Sequence, residues 1–303
     1  MSVASFKPEL WASSLDVSYQ DNLVYAQTGV ANTRFQPILQ NSGKSVTINR
    51  IGAGQTRPYD PAVPITYDTL STTKVDLVMD EQEYYAFLVD DVDKAQAAGD
   101  FQGAGTEQHG IAMAAKVDST VSTKLRDGAG KKIGNTAIFN GADFYMPASG
   151  QATAWDALRM LSKELNKVSA PSLNRWVVVG PEFGDALLAD RHLTEADKAG
   201  TDAVARNGLI ATIKTLGFSV FTSNSVPVTA GRELIIGGAP NALDFASQLQ
   251  TTEAFRHQDH IADAVRGLQV WGSVVSNPKG VVTLEADVQP GVLPSAQDTT
   301  PTP

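Results

Sequence analysis

Residues 75–96, VDLVMDEQEYYAFLVDDVDKAQ, carry two strand patterns followed by a run of acids. Apolar residues alternate with polar ones in each half, which predicts two strands that each bury one face. The alternating residues are Val75, Leu77 and Met79, then Tyr85, Phe87 and Val89. The acids that follow are Asp90, Asp91 and Asp93. These acids fit a divalent-metal site, the acid–base pair of a hydrolase, or the start of a helix.

The start of a helix explains the three acids most simply. Asp90 or Asp91 would cap the helix, and Asp93 would lie in its first turn, where a carboxylate favours the exposed N–H groups and the helix dipole. Each such interaction stabilises a helix by about 0.5–2 kcal/mol, so the acids need no catalytic role. The rival hypothesis is a carboxylate-dependent hydrolase or metal enzyme, and it predicts tight binding of Mg²⁺, Ca²⁺ or Mn²⁺.

The composition limits the classes of function. The chain has 303 residues, of which 42% are hydrophobic and 19% charged, as in ordered globular proteins of one large or two modest domains. The absence of cysteine excludes disulfides and thiolate metal sites. No apolar run approaches the ~18 residues of a membrane span, so we expect no membrane partner. The net charge is −9, and Lys131-Lys132 is the only adjacent basic pair, which argues against sequence-specific nucleic-acid binding.

The N-terminal part of the chain predicts elements that other subunits complete. An apolar stripe at helical spacing is formed by Phe6, Leu10, Trp11 and Leu15. Residues 22–45 are polar and irregular, so we expect that they cannot bury themselves. Val46–Ile48 and Ile65–Tyr67 predict the two strands of a long hairpin with a Gly- and Pro-rich tip. An isolated two-stranded ribbon is only marginally stable, which points to an obligate assembly.

The remaining elements alternate between helices and strands. Ile111, Ala114, Val117, Val121 and Leu125 predict a long amphipathic helix over about 106–127. Further helices are predicted around 155–168, 183–188, 209–213 and 243–249, and further strands at 176–179, 218–220 and 234–236. The segment 267–287 predicts a hairpin with a β-turn at Asn277–Gly280, and residues 291–303 form a Pro/Thr-rich tail.

Several segments, in this order, resemble the major capsid proteins of tailed double-stranded-DNA phages with the Hong Kong 97-type fold. They are FKPELWAS, SVTINRIG, YDTLSTTKVDLVMDEQEYYAFLVDDVDKAQ, GLIATIKTLGFSVFTSNSVP, ELIIGGAPNALDFASQL, TTEAFRHQDH and VRGLQVWGSVVSNPKGVVTLEAD. The resemblance spans residues 6 to about 288 and is greatest to the branch found in phages of actinobacteria.

The resemblance implies an α+β fold with named parts. These are an N-arm (1–45), an extended E-loop (46–74), a peripheral P-domain (75–149 and 266–290) with a spine helix at about 106–127, an axial A-domain (150–265) and a flexible tail (291–303). It also implies that the E-loop lies over a neighbouring subunit. The resulting candidates for inter-subunit contacts are Phe6, Trp11, Arg50, Arg57, Tyr59, Asp60 and Asp68. The arginines and aspartates of this set either keep the loop soluble or form ion pairs with a neighbouring subunit, each pair contributing about 0.2–1 kcal/mol if exposed.

Two features differ from some relatives. Phe6–Trp11 follow almost directly after Met1, so we expect a separate scaffolding protein and no encoded scaffolding segment. No lysine lies between Ser45 and Thr73, so we expect no covalent cross-link through an E-loop lysine.

Other candidate sites are weak. Asn41–Ser45, NSGKS, has Ile38 where a phosphate-binding loop needs glycine, and it leads into a strand. The glycines between 99 and 110 lack the spacing of a dinucleotide loop. His257 and His260 would share a helix face, but zinc needs a third protein ligand. No nucleophile motif is present.

The sequence therefore predicts a structural protein without enzymatic activity, cofactor or metal. It would assemble with itself into hexamers and pentamers of an icosahedral phage head around double-stranded DNA that is contacted non-specifically. Further expected partners are a scaffolding protein, a portal at one vertex and a decoration protein, and the chain would be made in the host bacterial cytoplasm. The alternative is an encapsulin-like compartment that encloses a cargo enzyme.

Overall fold

The computed structural model describes most of the chain between residues 23 and 289. The described ranges are 23–41, 43–52, 54–59, 61, 64–65, 67–69, 71–91, 101–140, 150–190, 209–213 and 216–289. The helices are α1 (Gln36–Asn41), α2 (Phe101–Gly128), α3 (Ala154–Lys167) and α4 (Pro181–Ala189). The strands are β1 (Ser45–Ile51), β2 (Thr72–Val78), β3 (Glu81–Asp90), β4 (Lys131–Phe139), β5 (Arg175–Val179), β6 (Leu209–Ile213), β7 (Phe218–Thr222), β8 (Val228–Thr229), β9 (Arg232–Gly238), β10 (Leu243–Arg256), β11 (Ala262–Val275) and β12 (Val281–Gln289).

The described strands form three sheets. The largest has the order β4-β12-β9-β5-β7-β6, with β8 paired to β9. It is mixed, because β4 runs parallel to β12 and β5 parallel to β7, whereas the β12–β9, β9–β5 and β7–β6 pairs are antiparallel. The second sheet has the order β10-β11-β3, and the third is the antiparallel hairpin β1-β2.

The largest sheet separates two hydrophobic cores. On one face, α3 and α4 pack over Val177, Val179 and Ile235. On the other face, α2 and residues 23–31 pack over Trp176, Val178 and Ile236. Every residue of β5 is buried, as expected for a central strand that is covered on both faces. A third, smaller core joins the base of the hairpin to β10 and β11 through Leu39, Ile48, Leu77, Met79, Ala246 and Val270.

Residues 23–31 are part of the main core, so the prediction that residues 22–45 cannot bury themselves is wrong. Leu23, Val24, Tyr25, Ala26, Val30 and Ala31 are all buried in that core. These apolar residues have no regular spacing, which is why the sequence pattern missed them. They fill the space between α2 and the large sheet, and this burial exists only in the folded chain.

Most predicted helices and strands are confirmed in their positions, and the strands predicted at 46–48, 85–89, 218–220 and 234–236 lie within β1, β3, β7 and β9. The long amphipathic helix is α2, which begins at Phe101, about five residues earlier than predicted. The helices predicted near 155–168 and 183–188 are α3 and α4, and the buried strand at 176–179 is β5. α3 begins as its sequence suggests, because the Thr153 side chain accepts the N–H of Asp156 at its N-terminus.

Two predicted helices are strands in the structure. Residues 209–213 form β6, and residues 243–249 belong to the 14-residue strand β10. The apolar residues of these segments happen to recur at helix-like spacing, but each segment pairs with a neighbouring strand. β6 pairs with β7, and β10 pairs with β11 along nearly its whole length. Long-range pairing thus overrides a short local pattern.

The prediction of a C-terminal hairpin is also wrong. The turn exists, since the Gly280 N–H donates to the Asn277 carbonyl at 2.9 Å. The strands on its two sides nevertheless enter different sheets, because β11 pairs with β10 and β3, whereas β12 pairs with β4 and β9. β12 buries both faces of its first half, which a two-stranded ribbon could not achieve.

The hairpin near the N-terminus has a longer connection than predicted. β1 pairs with residues 72–78, not with Ile65–Tyr67.

Strand pairing also joins segments that the sequence assigned to different domains. β4 and β12, predicted in the P-domain, join the sheet that holds β5, and β10, predicted in the A-domain, joins β3. Composition along the chain does not reveal which strands meet, so this grouping could come only from the tertiary structure.

Candidate assembly surfaces

The structure describes only some of the residues that the sequence predicts at inter-subunit contacts. Phe6, Trp11, Asp60 and Asp93 lie outside the described residues. Arg57 forms an ion pair with Asp68 inside the hairpin. Arg50 Nη2 lies 3.3 Å from Ser276 Oγ and 3.4 Å from the Asn241 carbonyl of the same chain. In a single chain, both guanidinium groups thus have partners of their own, and ion pairing with a neighbour stays a prediction.

The hairpin loop, residues 52–71, exposes large apolar side chains. Tyr67 is 92% exposed, and Tyr59 and Ile65 are also mostly exposed. Ile51, the last residue of β1, is also exposed. A run of exposed aromatic and aliphatic side chains is unusual on a soluble monomer and is typical of an interaction surface.

The outer face of the three-stranded sheet carries a second exposed apolar set. Tyr84 lies opposite Leu268 in the β3–β11 ladder, and Ala264 lies between Leu88 and Phe255. Because residues directly opposite in a ladder share a face, these side chains lie together. Tyr84 is 78% and Leu88 51% exposed, and Phe255 and Leu268 are partly exposed. We call Tyr84, Leu88, Phe255 and Leu268 the outer face; the opposite face of the sheet packs on α2.

An ion pair crosses the middle of the outer face. Arg266 Nη2 lies 2.7 Å from Glu253 Oε2 on the neighbouring strand. The same guanidinium lies over the Phe255 ring, with its carbon 4.8 Å from the ring centroid. Its charge is therefore compensated within the sheet, and the outer face remains chiefly apolar.

The acids that follow β3 lie at one end of this sheet. Asp90 is the last residue of β3, and both oxygens of the Asp91 carboxylate bind the guanidinium of Arg256. Arg256 Nη1 also lies 3.1 Å from Asp263. These two carboxylates raise the pKa of Arg256 above its ordinary value. Asp91 therefore ties the end of β3 to the β10–β11 turn, and the helix-cap role of Asp90, Asp91 and Asp93 stays a prediction.

The two histidines of the β10–β11 turn lie close together. The ring centroids of His257 and His260 are 5.0 Å apart, in a turn and not on the helix face that their spacing predicts. His257 Nδ1 accepts the N–H of Asp259, so the lone pair of this nitrogen is already used in a hydrogen bond. Among the described residues, no group of three or more His, Cys, Asp or Glu side chains could hold a metal ion.

A buried carboxylate joins the N-terminal segment to α2. The oxygens of Asp118 accept the N–H groups of Val24 and Tyr25 at 2.8 and 3.0 Å. Burial raises the pKa of Asp118 to about 6, although the hydrogen bonds from the backbone act in the opposite sense. No local pattern predicts this contact, because Val24 and Asp118 lie 94 positions apart in the sequence.

A cleft of about 580 Å³ lies between the N-terminal segment and one end of the large sheet. Its lining is neutral and small, and consists of Thr28–Thr33, Asn174, Ser219, Pro240 and Asn241. Among the described residues, the lining holds no charged side chain, and its hydroxyl groups are those of Thr28, Thr33 and Ser219. None of the described helices is long and apolar enough to cross a membrane.

The chain matches the family described as "Phage capsid protein" over residues 22–288. Among solved structures, it resembles that of Mycobacterium phage Che8, with 31% sequence identity, a TM-score of 0.65 and coverage of 86% of this chain and 90% of that chain. No curated protein matches the chain.

Two more distant structures share the fold. The mature capsid of bacteriophage PhiM1 has 16% identity, a TM-score of 0.57 and coverage of 85% and 88% of the two chains. A virus-like particle from Pyrococcus furiosus has 16% identity, a TM-score of 0.56 and coverage of 91% and 98%. At 16% identity, these two structures indicate the fold alone. The family match favours a phage capsid protein over an encapsulin-like compartment protein. The chain therefore belongs to the phage capsid protein family, and it is a major capsid protein with the Hong Kong 97-type fold.

Proposed function

We propose that the chain assembles with itself into hexamers and pentamers of an icosahedral shell, and that the hairpin loop of one subunit covers the outer face of a neighbour's three-stranded sheet. The observation that carries this proposal is that one chain exposes two apolar surfaces. Tyr59, Ile65 and Tyr67 lie on the loop, and Tyr84 and Leu88 lie on the outer face.

Apolar burial provides the driving force for this contact. Fully burying one large apolar side chain stabilises a complex by about 1.5–3 kcal/mol before the costs of association. The Arg57–Asp68 and Arg266–Glu253 pairs are each satisfied within their own surface. Neither surface therefore brings an unpaired charge from these pairs into the interface, where it would be costly.

The domain division predicted from the sequence belongs to the same proposal. In it the A-domain (150–265) meets its copies around the axis of each capsomer, and the P-domain (75–149 and 266–290) meets copies between capsomers. The N-arm and the E-loop connect neighbouring subunits. Such head-to-tail contacts close into rings when the rotation between subunits allows it.

The shell would enclose double-stranded DNA without binding it tightly. The net charge of −9 supports this, because an acidic protein repels phosphates and does not trap the DNA. A separate scaffolding protein, a portal and a decoration protein complete the proposed partners, and synthesis would take place in the host bacterial cytoplasm. The chain has a structural role and performs no catalysis.

Imaging of particles tests the proposal. The full chain, expressed alone and together with a scaffolding protein, should give closed icosahedral particles with hexamers and pentamers in electron micrographs. A monodisperse monomer under all conditions would contradict it. The particle contents test the enclosed partner, since nucleic acid is expected, whereas a stoichiometric cargo enzyme would support the compartment instead.

A further inference from the structure

The largest sheet has two ends, and three of its strands run from one end to the other in the same direction. β4 is parallel to β12, and both β12 and β5 are antiparallel to β9. The first residues of these three strands, Lys131, Arg175 and Val281, therefore lie at one end of the sheet, and their last residues lie at the opposite end. The two ends differ in charge.

Exposed lysines are concentrated at the end where these strands begin. Lys131 is the first residue of β4, and Lys163 and Lys167 lie in the last turns of α3. These elements meet around one carboxyl group. A hydrogen bond from Lys167, and then the charges of all three lysines, lower the pKa of the Glu164 carboxyl. We call Lys131, Lys163 and Lys167 the basic end.

Acids lie at the end where the same strands finish. α4 follows β5 after a single residue, and its exposed residues include Glu182 and Asp185. The N-terminus of α3 also lies here, because the Trp155 N–H donates to Asp190 Oδ2, just after α4, at 3.1 Å. The 14 residues of α3 span about 21 Å between this end and the lysines. We call Glu182 and Asp185 the acidic end.

Most of these charges have no partner within the chain. Lys167 pairs with Glu164. Among the residues that the structure describes, Lys131 and Lys163 have no ion-pair partner. In the same part of the chain, Glu182 and Asp185 also have none. One subunit therefore presents two exposed surfaces of opposite charge at opposite ends of its largest sheet.

Each end also exposes apolar side chains. At the basic end, Val168 is 45% and Leu173 76% exposed, and both follow the last turn of α3. At the acidic end, Leu188 is 54% exposed and lies one helical turn after Asp185 on α4. Apolar side chains beside charged ones are typical of a protein–protein contact, whereas a phosphate backbone offers chiefly charge. The occupant that fits the basic end best is therefore a protein with an acidic and partly apolar surface.

We propose that this occupant is a second copy of the chain, and that the basic end of one subunit binds the acidic end of the next in a head-to-tail contact. The proposal rests on the self-assembly argued above and names the surfaces of one of its contacts. Because the two ends lie apart, each subunit can use both at once, and successive contacts close into a ring when the rotation between subunits allows it. Like ends repel each other, so the charges also fix the direction of the ring.

Charge reversal at each end tests the contact. One double variant carries Lys131→Glu and Lys163→Glu, and the other carries Glu182→Lys and Asp185→Lys. All four side chains are exposed, so both variants should fold, which circular dichroism and the unfolding midpoint check. The yield of closed particles should fall at least tenfold with either variant, because like charges then face each other in every copy of the contact. Wild-type yields with both variants would overturn the proposal.

Recombination of the two reversals separates a direct contact from general damage. A mixture of the two double variants should assemble although neither assembles alone, because opposite charges again face each other. The chain with all four substitutions should assemble by itself for the same reason. Folded subunits that assemble in neither experiment would contradict the contact. If a double variant does not fold, Lys163→Gln and Asp185→Asn only remove charge, and unchanged yields with both would overturn the proposal.

Controls and a second readout isolate this contact from the rest of the assembly. Gln108→Glu and Glu107→Lys change exposed positions of α2, away from both ends, and should leave the yield unchanged. A loss of enclosed nucleic acid with the lysine variant, together with normal assembly of the Glu182 and Asp185 variant, would assign the basic end to phosphates and overturn the proposal.

Sedimentation of free subunits measures the contact without particles. The mixture of the two double variants should associate at least tenfold more tightly than either variant alone, and equal association would contradict the contact. Wild-type particles that are insensitive to both reversals would refute only this contact. A wild-type chain that forms no particles would refute the proposed shell, while sedimentation would still decide the head-to-tail contact.

Discussion

Glu233 on β9 accepts the backbone N–H of Phe183 at 3.0 Å, near the N-terminus of α4. Its second oxygen accepts the N–H of Glu182 at 3.1 Å. The N-cap residue of α4 is Gly180, which has no side chain to form such bonds. A carboxylate from another strand therefore performs the capping role and fixes α4 to the large sheet.

Replacement of Glu233 by alanine should lower the free energy of unfolding by about 1–3 kcal/mol, because the buried N–H of Phe183 and the partly buried N–H of Glu182 lose their acceptor. Glu233→Gln keeps one acceptor oxygen and should cost less. Denaturant unfolding of free subunits measures both. Glu107→Ala, at an exposed position of α2, is the control and should change the stability by less than about 0.5 kcal/mol. Equal effects of Glu233→Ala and the control would show that the cap is unimportant.

Arg175→Lys should be costly although it conserves the charge. The buried guanidinium donates to the carbonyls of Pro171 and Ala170 at 2.7 and 2.9 Å and to Asn166 Oδ1 at 2.8 Å. A lysine cannot reproduce this fork, so we expect a loss of about 2–4 kcal/mol in the free energy of unfolding. Arg159→Lys, on the exposed side of α3, is the matched control. Thermal unfolding that is the same for both variants would contradict this role.

Gly217→Ala should destabilise the chain more than Gly231→Ala. Both glycines have positive φ, +73° and +77°. A Cβ at residue 217 would lie 2.0 Å from the Ser172 carbonyl oxygen, whereas a Cβ at residue 231 would meet open space. The second variant therefore measures the backbone strain alone, about 1–2 kcal/mol, and the first adds a clash with backbone. Denaturant midpoints of the two variants should differ clearly, and equal midpoints would contradict this account.

Variants of the two apolar surfaces should affect assembly and leave the subunit folded. Tyr67→Ala and Leu88→Asp change exposed side chains, so circular dichroism and the unfolding midpoint should stay close to the wild type. The yield of closed particles should fall at least tenfold, because each contact is repeated in every subunit.

Thr69→Ala in the loop and Gln258→Ala in the β10–β11 turn change exposed polar residues and are the controls for assembly. Normal particle yield with both Tyr67→Ala and Leu88→Asp would show that the loop does not cover the outer face.

Local patterns were sufficient for elements that local interactions stabilise. The apolar spacing of Val117, Val121 and Leu125 predicted α2, and the continuous apolar run from Trp176 predicted β5. Local patterns failed where pairing decides the structure, as in β10, whose Leu243 and Ala246 suggested a helix. Tyr59 lies exposed on the hairpin loop, and its contact with a neighbouring subunit stays a prediction. The outer face was missed, because it joins β3 to β10 and β11, which lie more than 150 residues further along the chain.

The sequence by itself determined the family, the long helix α2, the α/β character of residues 150–240 and the absence of a catalytic motif. This information lies in the periodicity of apolar residues and in the order of the segments, and both can be identified from the sequence alone. Only the tertiary structure decided which strands pair, that Val24 and Tyr25 bind Asp118, and that Glu233 caps α4. These contacts join residues that are far apart in the sequence, and their stability arises from burial that exists only after the chain has folded.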